Sequence, residues 1–123
     1  MDDPGRLTQG AIHLARLDPA KGAEIGKLRP VVLLTETRLL QPPSDLVMVC
    51  PLSRHSYRGV SYLHVRLPAR EQLKCSSYAL IEHCRAVAIR RLCSPRIASV
   101  DPTELEQMMH RLDVLLGRPP RNR

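Results

Sequence analysis

Two continuous apolar runs near the middle of the chain, "PVVLLT" (30–35) and "LVMVCPLS" (46–53), constrain its fold most tightly. Each is too short for a stable helix and rich in β-branched residues, so each reads as a strand buried on both faces. Pro30 opens the first run, where proline is tolerated because a strand's first residue need not donate to the ladder. "QPPSD" between the runs is a turn. "AIHLARL" (11–17) is a short strand with Ile12 and Leu14 on one face, ended by Asp18-Pro19 and a loop carrying Gly22 and Gly26. "SYLHVRL" (61–67) alternates Tyr62, His64 and Arg66 with Leu63, Val65 and Leu67, the period of a half-exposed strand. "SSYALIEH" (76–83) and "PRIASV" (95–100) are further strands, and "RAVAIRRL" (85–92) is ambiguous between a strand and a short helical turn.

The chain's last element is a helix. Asp101 is an N-cap acid, Pro102 occupies the first helical position and Glu104 stands at N3. Leu105, Met108, Met109, Leu112, Leu115 and Leu116 then fall on one helical stripe, Gly117 is a C-cap candidate, and Pro119-Pro120 block continuation. Short strands joined by turns, then one helix, predict a mainly β (α+β) fold: a small antiparallel β-barrel or sheet with a C-terminal amphipathic α-helix. The 123 residues suit one domain, expected over 10–117 between a flexible N-terminus (1–9) and a basic flexible tail (118–123).

With no Phe, no Trp and three Tyr, the core must be aliphatic, and burial between two copies of the chain would help it. The formal charge of +7 suits a polyanionic partner, either nucleic acid or an acidic protein. "MDDPGRLTQG" is acidic and polar, unlike a signal peptide, and no run of 18 apolar residues exists, so a cytoplasmic protein without a membrane span is expected. Its four cysteines are then expected to be reduced thiols, buried as small hydrophobes. Their spacing lacks the close pairs of zinc sites, and neither a metal nor another cofactor is expected.

Several residues offer chemistry. Lys27 and Arg29 sit on a Gly-containing loop directly before a buried strand, where they either solvate the loop or hold a phosphate. Glu24 lies in the same loop, as an orienting group or a base. Ser53 ends a strand, where its hydroxyl either donates to a phosphate oxygen or closes a turn. Arg54, His55, Tyr57 and Arg58 mix cations with flat rings that suit unpaired bases. Glu82, His83 and Arg85 form a second polar cluster after "YALI". Ser53 lacks a Gly-x-Ser-x-Gly context and the histidines form no HExxH, which argues against serine-hydrolase and zinc-peptidase readings.

"GAIHLARLDPAKGAEIGKLRPVVLL" resembles the opening of the MazF/PemK/Kid toxins. "VMVCPLS", "LHVRLP", "SYALIEHCRAVAIRRL" and "VDPTELEQMMHRLDVLLG" resemble later family segments in the same order, over roughly 8–117. The resemblance implies an SH3-like antiparallel β-barrel with a C-terminal helix, working as a homodimer. It implies a type II toxin, inhibited by a cognate acidic antitoxin, that cleaves single-stranded RNA at short sequences without a metal. It also implies catalytic roles for Arg29, Ser53, Glu24 and Glu82, while Lys27, Arg54, His55, Tyr57, Arg58, His83 and Arg85 are expected to bind RNA. The chain departs from the family pattern at Ala11, His13, Ala23, the Glu82-His83 pair and Ala86. Two alternatives stand beside the ribonuclease: a gyrase-binding toxin like the related CcdB proteins, which lack the "GxExxGxRP" motif, and a nuclease-dead RNA-binding relative.

Overall fold

A computed structural model describes residues 6–18, 22, 26–42 and 44–119. Its strands are β1 (Ala11–Arg16), β2 (Leu28–Leu33), β3 (Leu46–Ser53), β4 (His64–Leu67), β5 (Ser77–Leu80), β6 (Arg85–Ala88) and β7 (Ala98–Ser99). One helix, α1 (Pro102–Leu115), closes the order. Every pairing is antiparallel, along the path β4-β5-β3-β2-β1-β7.

The long strand β3 organises this arrangement. One of its edges pairs with β2 through Val49–Pro51. Its other edge is shared, with Leu46–Val49 on β6 and Leu52 and Ser53 on β5. The chain after β6 returns to the far edge of β1, where Leu92 bridges Ala15 and the Cys93 N–H donates to the Leu14 carbonyl at 2.7 Å. His13 pins the same segment, its Nδ1 lying 3.0 Å from the Cys93 carbonyl. The sheet thus curls into the small barrel that the sequence leads one to expect.

Strand alternation divides the core in two. Odd-numbered residues of β1 to β3, among them Ala15, Val31, Leu33 and Val49, pack inside the curl with Leu17, Leu40 and Val87. Even-numbered ones, among them Ile12, Val32, Cys50 and Leu52, pack on the opposite face with Val65, Leu67, Ala79 and the helix residue Met108. This double burial is why residues 31–34 and 49–52 are apolar at every position, whereas Leu46 and Met48, expected to be buried, are exposed.

Pro30 is not the first residue of β2, as expected, but lies opposite Leu14 in its middle. Hydrogen bonds to β1 and its flanks use the carbonyls of Lys27 and Leu33, whereas the Leu34 N–H turns to the Met48 carbonyl on β3. Even positions therefore face β3, and the β2–β3 ladder begins only at Val31. The N–H that Pro30 lacks would have met no partner.

Several elements are shorter than their sequence patterns suggest. Residues 61–63 and 81–83 form 3₁₀ turns at the ends of β4 and β5. "RAVAIRRL" holds both a strand and a helical turn, β6 followed by a 3₁₀ turn at 89–91. Residues 1–5 lie outside the described residues, but Leu7 packs against the inner core and Gln9 bonds to Thr37 and to the Leu34 carbonyl, so this part of the expected flexible N-terminus is tied down.

The helix begins as expected. Asp101 accepts from the Glu104 N–H at 2.7 Å and Glu104 accepts from the Asp101 N–H at 2.9 Å. The apolar stripe packs through Leu105, Met108, Met109 and Leu112, while Leu115 and Leu116 are exposed. Asp101→Ala should lower stability by about 1 kcal/mol in urea unfolding, since it strips one of the helix's orphan N–H groups of its acceptor.

Candidate functional site

The loop between β1 and β2 is closed by its own residues. Asp18 accepts from the Lys27 N–H at 2.7 Å, and the Lys27 carbonyl accepts from the Leu17 N–H at 2.9 Å. Lys27 sits at φ +70°, a left-handed conformation that non-glycine residues seldom adopt and that needs such anchoring. Two residues on, Arg29 donates from Nε to the Gly26 carbonyl at 3.0 Å. That bond fixes the guanidinium, and no described residue pairs with its terminal nitrogens. Glu24 lies outside the described residues.

The β2–β3 ladder stops at Val31 opposite Pro51, and beyond it Arg29 and Ser53 flank the opening between the two strands. Ser53 faces Tyr78 on β5, and Tyr78 faces Arg66 on β4. Ala15 and Arg29 thus pair on one side of that opening, and Ser53, Tyr78 and Arg66 form a row on the other. The Ser53 hydroxyl oxygen accepts from the His55 N–H at 3.1 Å, which closes the turn and leaves its own hydrogen free to donate.

Arg29 and Ser53 both line a cleft of about 430 Å³ at this end of the strands. Its floor is apolar, with Leu14, Pro30, Leu52, Leu73 and Ile97. Lys27, Arg29, Arg54 and Lys74 supply four cations to its lining, and no acid is among the described lining residues. A low-dielectric concavity lined by one sign of charge concentrates anions.

The second polar cluster does not line the cleft. Glu82, in the 3₁₀ turn after β5, places its carboxylate oxygens 2.9 and 2.8 Å from His64 Nε2. His64 Nδ1 lies 2.8 Å from the Ser56 hydroxyl. The His64 side chain is only 1% exposed, contrary to its expected place on an exposed strand face: the loop after β3 folds over it through Ser56. His83 Nε2 is 4.0 Å from the Glu82 carboxylate. Arg85 stands opposite Val49, and its Nη1 is buried without a partner among the described residues. His55, Tyr57 and Arg58 are exposed on the loop after β3. All four cysteines are free. Burial pushes the Cys50 thiol well up, and a hydrogen bond with Cys84 adds to the effect. Cys75, expected to be buried, is exposed at the cleft.

The family described as "PemK-like, MazF-like toxin of type II toxin-antitoxin system" matches residues 8–116. The chain belongs to this family. The crystal structure of MazF (Form-I) from Deinococcus radiodurans is similar at a TM-score of 0.76 and 25% sequence identity, covering 90% of this chain and 96% of that one. The Mycobacterium tuberculosis toxin MazF-mt6 is similar at a TM-score of 0.72 and 21% identity, over 89% and 98% of the two chains. A mycobacterial endoribonuclease in complex with its cognate antitoxin shares the fold at a TM-score of 0.70 and 13% identity, over 94% and 98%.

In this MazF-like toxin the residues missed by sequence reading are Lys74, Arg66, Tyr78, Ser56 and His64. Lys74 stands between β4 and β5 in a segment with no pattern of its own, and only the folded chain brings it to the cleft. Tyr78 becomes a neighbour of Ser53, and Arg66 of Tyr78, through strand register alone. Among the described residues, no helix of the toxin is long and apolar enough to cross a membrane.

Proposed function

We propose that this toxin is an endoribonuclease that cuts single-stranded RNA by attack of a ribose 2′-hydroxyl on the adjacent phosphate. The 2′-O–P bond forms and the P–O5′ bond breaks, leaving a cyclic phosphate and a 5′-hydroxyl. The observation that supports this reading most strongly is the cleft in which Arg29 and Ser53 line the same space as three further cations, with no acid among the described lining residues. The Arg29 fork meets the extra negative charge of the phosphorane, and the Ser53 hydroxyl donates to a non-bridging oxygen. Lys27, Arg54 and Lys74 hold neighbouring phosphates, and His55 and Tyr57 offer rings for unpaired bases. With the Glu82 carboxylate engaged by His64, we assign Glu24, from its place in the sequence, as base for the 2′-hydroxyl proton, which then passes to the departing 5′ oxygen.

The same cleft would receive the acidic segment of a cognate antitoxin, which inhibits by occupying the anion site. Family membership supports this partner, as does the antitoxin complex of the mycobacterial neighbour. We further assign a homodimer as the working unit and the cytoplasm, where its RNA lies, as its compartment.

The test is to incubate the purified toxin with a random-sequence single-stranded RNA in EDTA and to map the ends. Cyclic phosphates at recurring short sequences are the expected result. Intact RNA together with inhibition of DNA gyrase would overturn the proposal in favour of a gyrase-binding toxin.

The row through Ser53 extends the phosphate track. Arg66 is exposed and spends one guanidinium nitrogen on Ser76 at 3.3 Å, leaving most of its fork open. Arg66→Ala should weaken binding of an uncleavable RNA by about 3- to 10-fold at low salt and reduce the salt slope by about one. Fluorescence anisotropy across a salt series measures both.

A further inference from the structure

Outside the cleft, Ser56, His64 and Glu82 form a hydrogen-bonded chain around a buried imidazole. It joins three separate segments: the loop after β3, the first residue of β4 and the turn after β5. A carboxylate can only accept, so His64 Nε2 carries a hydrogen toward Glu82. On the other side of the ring Nδ1 lies 2.8 Å from the Ser56 hydroxyl, which can donate or accept and so completes the chain. Hydrogen bonds in such a series polarise one another, and here the middle member is shut away from water.

The consequence lies in the loop that Ser56 belongs to. At Ser53 the loop is anchored twice, by the pairing with Tyr78 and by the His55 N–H bond to the hydroxyl. At Ser56 it is anchored again, by His64. Only Arg54 and His55 lie between these anchors, so the backbone that carries them is held at both ends. Arg54 is the one of the two that lines the cleft.

We infer that His64 is a positioning residue for RNA binding: held by Glu82, it pins Ser56 and so fixes the backbone that presents Arg54 to the cleft. Glu82 then acts through His64 rather than on RNA. This rests on the reading of the cleft as an RNA site. It gives the acid of the second polar cluster a role that its distance from the cleft lining would otherwise leave unexplained.

Ser56 is half-buried and its hydroxyl is small, so Ser56→Ala should fold, which a thermal melt checks. The variant is expected to raise both KM and the Kd for an uncleavable RNA by about 5- to 10-fold, as loss of one hydrogen bond in a buried chain would. Its single-turnover rate at saturating RNA should stay within about twofold of wild type. Ser56→Thr restores the hydroxyl and should recover the affinity. Glu82→Ala should raise KM by a similar factor, and the double variant should be no worse than either single one, because both cut the same chain. In an Arg54→Ala background, Ser56→Ala should have almost no further effect.

A fall in the saturated rate of Glu82→Ala at unchanged KM would overturn the inference and return Glu82 to the reacting atoms. Additive losses, or unchanged affinity in a folded Ser56→Ala, would reduce His64 to a core residue and also overturn it. A wild type that binds RNA but cuts none would sink the nuclease reading alone, since the Kd arm still decides the clamp. A wild type that binds no RNA sinks both.

Discussion

Arg29→Ala is expected to lower kcat/KM for single-stranded RNA by about 100- to 1,000-fold, the cost of removing one preorganised donor from a developing oxyanion. The loss should fall mainly on kcat. Lys27, Arg54 and Lys74 remain to hold the phosphates, so ground-state binding survives. The Nε bond to Gly26 matters here because a guanidinium already fixed in place needs little reorganisation when charge develops. Arg29→Lys keeps the charge but loses the planar fork and should recover only part of the activity. Lys27→Gly offers a useful contrast. It removes a cation while relieving a left-handed backbone, so it should cost affinity without destabilising the loop. A fluorogenic RNA assay under single-turnover conditions, with far-ultraviolet circular dichroism as a control for folding, separates these outcomes. Activity within threefold of wild type in Arg29→Ala would remove Arg29 from the mechanism.

The two halves of the candidate site were unequally legible in the sequence. Asp18, Arg29 and Ser53 are marked by local context: a turn, a strand entry and a strand end. Their structural settings follow from those contexts, with Asp18 closing the loop onto Lys27 and Ser53 accepting from His55. The helix was readable for the same reason, since the capping box lies within four consecutive residues. His64 was not readable. Alternation in "SYLHVRL" assigns it to the exposed face, and only the loop after β3, folding back across eight residues, converts that face into an interior. Glu82 shows the same limit. Its sequence neighbours suggest a free polar cluster, but its partner stands 18 residues away on another strand. Register is long-range information, and so is the burial of a polar group by a loop. Neither is written in the periodicity of a single segment.

Glu104→Gln is expected to destabilise the fold by about 2–3 kcal/mol at neutral pH, somewhat less than breaking a fully buried ion pair. Glu104 meets Arg70 through both carboxylate oxygens, with the Nη2 bond at 2.6 Å, and also accepts from the Asp101 N–H. Arg70 in turn donates to the carbonyls of Pro68 and Ser99. One carboxylate therefore ties the start of α1 to the segment after β4 and to β7. The helix it secures covers the outer core through Leu105 and Met108. Both side chains are largely shielded, at 19% and 13% exposure, so water screens the pair weakly. The Arg70 hydrogen bonds hold the Glu104 carboxyl below its usual range, with help from the Asp101 N–H and the Arg70 charge and against the opposing effect of burial. A carboxyl depressed in the folded state contributes stability that is complete above its unfolded pKa. That contribution is lost as pH falls through the folded value. Wild type and Glu104→Gln should accordingly differ in Tm by about 10 °C at pH 7, and the gap should close as the pH is lowered below about 4. Equal gaps at pH 7 and pH 3 in differential scanning calorimetry would show that the variant acts through packing instead.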